Sequence, residues 1–437
     1  MSTKPGQPAP PLKGIKVVEI ASEAGAYAGK LLGDAGADVA LVEPPGGHAT
    51  RSFAPFVDDQ PHADRSLHFW TNNTSKRSIT LDLDKPAARD AFRRLVKEAD
   101  LLVEAEAPGR MAALGLDYPD LKDINPRLIM VSITPYGRSG PRAADQATDL
   151  TLMAGGGIAW NAGYDDHGYP PIRGGGGQGY YAGCHFAVMS ALAALLYRDA
   201  AGPGSDGGGR GQHIDVNLHA ACNVTTEAGS YSYLVANQTV QRQTGRHAAV
   251  LKTAPVQLRC ADGVYIASGP PPRRQEQYAA LLQWLTEAGL AEEFPGTAAL
   301  KKATTMADVN FGSRDPGPEG RAIVDAARDG LTFIASKLKG YDFFIGAQDR
   351  GFQCGIIYTP DEALRDPHFA ARDFPTPVEH PELGRTITYA GAPYRMTGSP
   401  VRISRRPPLV GEHTEEVLRE SGFAAADIAV LRASGAL

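Results

Sequence analysis

The chain has 437 residues, with 44 Lys+Arg against 49 Asp+Glu and a formal net charge of −5. That near balance argues against a nucleic-acid partner or a polybasic membrane surface, because binding to phosphates is carried by an excess of Lys and Arg. With 43% hydrophobic and 21% charged residues it is not a disordered chain. At about 150 residues per domain it predicts two or three domains.

Residues 1–14 (MSTKPGQPAPPLKG) are polar and Pro-rich without an apolar centre, so no signal peptide is expected. Ile15–Ile20 (IKVVEI) is a β-branched run after Gly14 and predicts a buried strand. AGAYAGKLLGDAGA follows as a small-residue helix. DVALVEPPGG is then a strand stopped by Pro44, Pro45, Gly46 and Gly47. This β-α-β unit predicts a parallel, doubly wound sheet. Ser78–Leu83 alternates as a strand, and Lys85–Glu98 is an amphipathic helix with Pro86 in its first turn. Leu101–Glu104 and Leu128–Ile133 are further strands.

Residues 135–183 change character, through PYGRSGP, AGGG and RGGGGQG. The apolar helix Phe186–Leu196 is shorter than the ~18 residues of a membrane span and reads as buried core. AAGPGSDGGGRGQ predicts a flexible loop and Gln212–Leu218 a strand or the entry to a helix. Gln241–Thr253 looks irregular, and Val256–Ala267 predicts a hairpin about Asp262-Gly263. Helices are predicted over Gln275–Ala288 and Glu319–Leu338, the second interrupted by Gly330. A last helix, His413–Ser421, starts with a capping pattern at Thr414.

The 49 glycines exceed the usual share of about 7%. They do not form a phosphate loop: GxxxxGK[ST] is absent, and Gly33-Asp34-Ala35-Gly36 follows a helix instead of opening one. The run Gly174, Gly175, Gly176, Gly177, followed by Gln178, has two readings. One is a loop whose backbone lies against a ligand; the other is a crowded crossing of helix and sheet. Cys184, Cys222, Cys260 and Cys354 lack CxxC spacing, so neither a disulfide framework nor a metal site is expected, and the location expected is cytoplasmic.

Several blocks together resemble class III (family III) CoA-transferases, the group that includes formyl-CoA transferase and the α-methylacyl-CoA racemases. They are LKGIKVVEI at 12–20, NTSKRSITLDL at 73–83, VEAEAPGRMAALGLDY at 103–118, NPRLIMVSITPYGRSGP at 125–141, GRGQHIDVNL at 209–218 and PPLVGEHTEEVL at 407–418. The resemblance implies an α/β fold with a Rossmann-like large domain over 1–225, a small α+β domain over 226–356, and a return segment over 357–437. It also implies two subunits interlocked like chain links. CoA and acyl-CoA would be substrates, with no tightly bound cofactor. In the chemistry it implies, an aspartate carboxylate attacks an acyl-CoA thioester to give a mixed anhydride and CoA thiolate. The thiolate then attacks the aspartyl carbonyl, and the acceptor acid resolves the aspartyl-CoA thioester.

The resemblance places that aspartate just before the long apolar helix, in the window Gln178-Gly179-Tyr180-Tyr181, which holds no carboxylate. The racemase His-Asp pair is Thr148-Asp149 here. Asp149 reads as a helix N-cap or as a substitute catalytic acid, and Asp166 is a second substitute. The CoA-contacting positions implied are Ala24, Gly25, Asn73, Lys76, Arg77, Pro108 and Gly109. Lys76 and Arg77 suit phosphates, or else begin a solvated strand. Other family positions have changed: the usual Asn-Phe is Ala105-Glu106, an Arg falls on Ala113, and a Lys falls on Leu41. These losses imply a non-catalytic subunit paired with a homologous chain, as in succinyl-CoA:benzylsuccinate CoA-transferase. The alternative is a homodimeric transferase, isomerase or lyase that uses Asp149 or Asp166. Tyr180, Tyr181 and Trp160 suit an aromatic acyl group or ordinary packing.

Overall fold

Six parallel strands organise the larger of two units in the computed structural model, which describes residues 8–200, 209–306 and 317–437. This unit takes the segments up to Trp160, Ile172–Ser230 and Leu364–Leu437. Its elements begin with β1 (Lys16–Ile20), α1 (Ala26–Asp34), β2 (Asp38–Glu43), α2 (Leu67–Asn72), β3 (Lys76–Thr80), α3 (Pro86–Lys97) and β4 (Leu101–Glu104). They continue with α4 (Arg110–Ala113), α5 (Tyr118–Leu121), β5 (Ile129–Thr134), α6 (Asp149–Gly155), α7 (Gln178–Ala200), β6 (His213–Asn217) and α8 (Leu218–Val224).

The strand order is β3-β2-β1-β4-β5-β6. Val17, Val18, Glu19 and Ile20 are all buried, as expected of a parallel strand covered on both faces. The order reverses between β1 and β4, and such a switch point leaves a crevice outside the C-terminal strand ends. On one face, α3 buries Ala88, Ala91, Phe92, Leu95 and Val96, the i, i+3, i+4, i+7, i+8 stripe of an amphipathic helix. On the other face, Leu32, Leu152, Cys184, Ala187, Ala191, Leu195 and Leu218 share a second core.

The smaller unit comprises Asn161–Pro171 and Tyr231–Ala363. α9 (Ala228–Ala236) runs into it. β7 (Gln241–Gln243) and β8 (Arg246–Ala249) form a hairpin, and β9 (Gln257–Arg259), β10 (Tyr265–Ser268) and β11 (Cys354–Ile356) form an antiparallel sheet. α10 (Gln275–Glu287), α11 (Thr297–Ala303), α12 (Gly317–Lys337) and α13 (Gly340–Asp349) pack Tyr278, Leu281, Trp284, Ile334 and Phe343 into its core. The chain then rejoins the larger unit. α14 (Pro360–Leu364) and α15 (Pro367–Ala371) precede the hairpin of β12 (Pro375–His380) and β13 (Arg385–Ala390), and α16 (Thr414–Glu420) and α17 (Ala425–Ala433) end the chain. Val417, Leu418, Ile428 and Leu431 join the α3 core.

Several expectations need correcting. The helix expected over Phe186–Leu196 is the middle of α7, which has 23 residues and is long and apolar enough, by length and composition alone, to cross a membrane. One face of it, Cys184, Ala187, Ala191 and Leu195, is core. The stretch expected to be irregular carries the β7–β8 hairpin, because Thr244-Gly245 lets the chain reverse, with Gly245 at φ +64°. α12 is continuous through Gly330, where the missing side chain lets Leu281 and Phe294 pack at 3.4 and 3.5 Å from the Cβ position. α17 follows the helix expected to be last. Most of the loop expected to be flexible, residues 201–208, lies outside the described residues.

Candidate active site

Asp149 is the first residue of α6, but it does not cap that helix. Thr148 does, accepting the Thr151 N–H at 3.4 Å. The Asp149 carboxylate turns to the start of α7, where Oδ1 accepts the N–H groups of Gly179 at 2.8 Å and Tyr180 at 3.1 Å. Oδ2 accepts from Arg173 Nη1 at 3.1 Å. The N-cap role expected of this aspartate is therefore not found in its own helix, where Thr148 takes it; Asp149 instead serves the start of α7. A 23-residue helix presents unpaired N–H groups and a positive dipole end, and a buried carboxylate satisfies both. Gly179 is required for this approach, since a Cβ there would lie 3.0 Å from both Asp149 Oδ1 and Cys222 Sγ.

The glycine run wraps the same arginine. Arg173 Nη1 also donates to the Gly176 carbonyl at 2.7 Å and the Gly174 carbonyl at 3.3 Å. Nothing lies within 4 Å of a Cβ at Gly175 or Gly176, so the crowded-crossing reading fails there. Gly176 has φ +78°, a left-handed turn that lets its carbonyl face the guanidinium. In the window where the resemblance places a nucleophile, the Tyr180 phenol is pushed up to about 12, first by burial and then by the charges of Glu23 and Asp149. Burial also raises Tyr181, whose hydroxyl donates to Asn72 Oδ1 at 3.1 Å. Neither is a phenolate near neutral pH. Asp166 belongs to the smaller unit, is exposed, and accepts the Gly168 N–H at 2.8 Å in a local turn.

Ala24 and Gly25 lie beyond the C-terminal end of β1, at the switch point. The Gly25 N–H donates to Ser22 Oγ at 3.0 Å, and the Ala24 carbonyl accepts from Cys184 Sγ at 3.1 Å. Pro108 and Gly109 turn the chain into α4, with Gly109 at φ +90°. Beyond the C-terminal ends of β1, β2 and β3, a crevice of about 190 Å³ is lined by Glu43, His48, Asp82, Asp84, Glu106 and Arg110, among others. Its only guanidinium, Arg110, is paired with Asp84 at 2.6 Å. Burial raises the Glu106 carboxyl, an effect that Arg110 offsets and Asp84 adds to. This is a poor cradle for a pyrophosphate, which calls for uncommitted cations.

Asn73, Lys76 and Arg77 are not available to a ligand, which corrects both readings of them. Lys76 is fully buried, and its Nζ donates to Glu19 Oε1 at 2.8 Å, Asn73 Oδ1 at 2.8 Å and the Ala26 carbonyl at 2.7 Å. Asn73 Nδ2 donates to the Phe69 carbonyl at 2.8 Å. Arg77 is held by Asp38, Glu416 and Glu420 at 2.5 to 3.0 Å, so it ties α16 to the sheet. The sequence reading missed Glu19 and Arg173. A charged residue inside the strand KVVEI and an arginine just before the glycine run were the signals.

The chain matches the family model "CoA-transferase family III" over residues 12–414. It is 32% identical over 426 residues to the succinyl-CoA:(R)-benzylsuccinate CoA-transferase subunit BbsE of Thauera aromatica, covering 97% of each chain. It is 30% identical to the succinate–glutarate CoA-transferase of Agrobacterium fabrum, over 94% of this chain and 96% of that one. A crystal structure of a CAIB/BAIF family protein from Brucella suis superposes with a TM-score of 0.76 at 28% identity, covering 95% of this chain and 100% of that one. With a sheet in Rossmann order and a match along nearly its whole length, the chain belongs to CoA-transferase family III.

Proposed function

We propose that this chain is the non-catalytic subunit of a heteromeric CoA-transferase that moves CoA between carboxylic acids in the cytoplasm. The observation that carries this reading is the start of α7. No carboxylate stands in Gln178–Tyr181, and the acid that reaches the helix end, Asp149, already accepts three hydrogen bonds. The N–H groups of Gly179 and Tyr180, donors of the kind that could stabilise an oxyanion, are occupied by that carboxylate. The acidic crevice at the switch point supports the same reading, because it lacks an uncommitted cation for the CoA phosphates. A homologous partner would supply the aspartate, the CoA site and the acyl transfer, within a heterodimer or heterotetramer of interlocked subunits. The similarity to a relative named as a subunit supports a heteromer. CoA and acyl-CoA are then the substrates of the assembly, and no tightly bound cofactor is required.

The experiment is to purify the chain alone and together with a homologue that carries aspartate before its apolar helix. Transfer of CoA from succinyl-CoA to a second acid is then measured. The expected result is co-purification of the two chains, with activity only in the pair. Turnover by this chain alone, at the rate of the pair, would mean that it is a complete homodimeric enzyme.

A further inference from the structure

Next to the α7 terminus, which lends it Tyr181, the larger unit has an aromatic cleft that none of the CoA-binding positions lines. Its walls include Tyr27, Trp70, Tyr181, Phe374, Tyr389 and Tyr394, and its volume is about 610 Å³. That is about four times the ~150 Å³ of an apolar cavity that takes up benzene. The walls are fixed in advance. Tyr27 and Tyr181 stack with ring centroids 4.3 Å apart. Trp70 stacks on the buried His380 at 4.2 Å, and its Nε1 donates to the Asp64 carbonyl at 3.1 Å.

His380 determines how Tyr389 is held. Its Nδ1 faces the Glu382 carboxylate at 2.8 Å, which can only accept, so Nδ1 carries the hydrogen. Nε2 is then a bare acceptor, and the Tyr389 hydroxyl donates to it at 2.9 Å. Burial lowers the His380 value, which favours this neutral form. Tyr389, which lines the cleft, is thus held in place by the hydrogen bonds through His380 to Glu382.

Charge in the cleft is neutralised internally. Lys30 Nζ donates to Asp34 at 2.5 Å and to Thr74 Oγ1 at 2.7 Å. The hydroxyls of Tyr27 and Tyr394 have no hydrogen-bond partner among the described residues. They remain protonated donors, since burial raises both phenols. A cleft with stacked aromatic walls, a cancelled ion pair and two spare phenols selects a flat, neutral molecule with an oxygen acceptor. We propose that this cleft binds an uncharged aromatic compound of about two or three fused rings carrying an oxygen, between the Tyr27–Tyr181 stack and the Trp70–Tyr389 wall. This goes beyond the subunit role and uses none of its chemistry.

The test is calorimetric titration of the full chain at neutral pH with naphthol, and with naphthoate as the charged counterpart. Naphthol should bind saturably at one site, and naphthoate at least about tenfold more weakly. Thr71 is exposed at the cleft wall. Thr71→Trp should fill the opening and weaken naphthol at least about tenfold, while Tyr394→Phe, which keeps the ring, should weaken it about threefold. If Thr71→Trp does not fold, Tyr394→Phe decides. Absence of saturable naphthol binding, or binding that neither variant weakens, overturns the proposal. Equal binding of naphthoate overturns the neutral class of ligand. No CoA is present, so a negative result leaves the subunit role standing.

Discussion

Asp149 and Arg173 meet at 3.1 Å over the first turn of α7, and the same carboxylate takes the amide hydrogens of Gly179 and Tyr180. The arginine in turn gathers the Gly174 and Gly176 carbonyls. One ion pair thus ties α6, the glycine run and the long helix together, at the place where a family nucleophile would stand.

Replacing that carboxylate separates its structural from its chemical role. Asp149→Ala leaves one buried and one half-buried N–H group without a partner and should destabilise the chain by about 1–3 kcal/mol. Asp149→Asn keeps an acceptor oxygen and should cost about 1 kcal/mol, mostly from the lost charge. Chemical denaturation measures both. CoA transfer by the assembled pair should be unchanged in the Asn variant; its loss with stability intact would make Asp149 a catalytic acid.

The crevice makes a prediction about affinity. The purified chain should bind CoA weakly, because Asp82, Asp84 and Glu106 surround Arg110. Asp84→Asn with Glu106→Asn frees the guanidinium and removes two negative charges, and should tighten CoA at least about tenfold by titration calorimetry. Strong binding by the unaltered chain would contradict the electrostatic argument.

Two glycines should respond in opposite ways. A Cβ at Gly29 would sit 1.7 Å from Glu19 Oε2, so Gly29→Ala should cost about 3 kcal/mol or more, or prevent folding. Gly175 faces open space, and Gly175→Ala should change stability by less than about 0.5 kcal/mol. Paired thermal melts read the contrast. Equal losses would mean that the glycine run is packed and not open.

Glu19 also predicts a pH dependence. Burial raises its carboxyl from 4.5 to about 7 against the pull of Lys76, and Oε2 has no hydrogen-bond partner among the described residues. Folding therefore takes up a proton in that window. The contribution to stability is full below the unfolded value of 4.5, is lost as pH rises toward about 7, and is level above it. Glu19→Leu with Lys76→Met removes both charges and should flatten this slope without a large loss of stability, since a buried ion pair is weak net stabilisation. An unchanged slope in the double variant would place the titration elsewhere.

The sequence by itself determined the parallel β-α-β order, the amphipathic α3 and the absence of a carboxylate in Gln178–Tyr181. Each is a local property: a run of buried β-branched residues, a 3.6-residue stripe, or the identity of four adjacent positions. It also singled out Asp149, yet it could not say which helix the carboxylate caps, because the α7 donors lie 30 positions away in the chain. For the same reason Lys76 and Arg77 read as surface cations, whereas the fold places one against Glu19 on a strand two places across the sheet and the other against α16. Partner choice for a buried charge is a long-range matter, decided by which strands and helices the tertiary structure brings together. The aromatic cleft is of this kind, since it draws residues from α1, α2, α7, the β12–β13 hairpin and the segment after it, between positions 27 and 401.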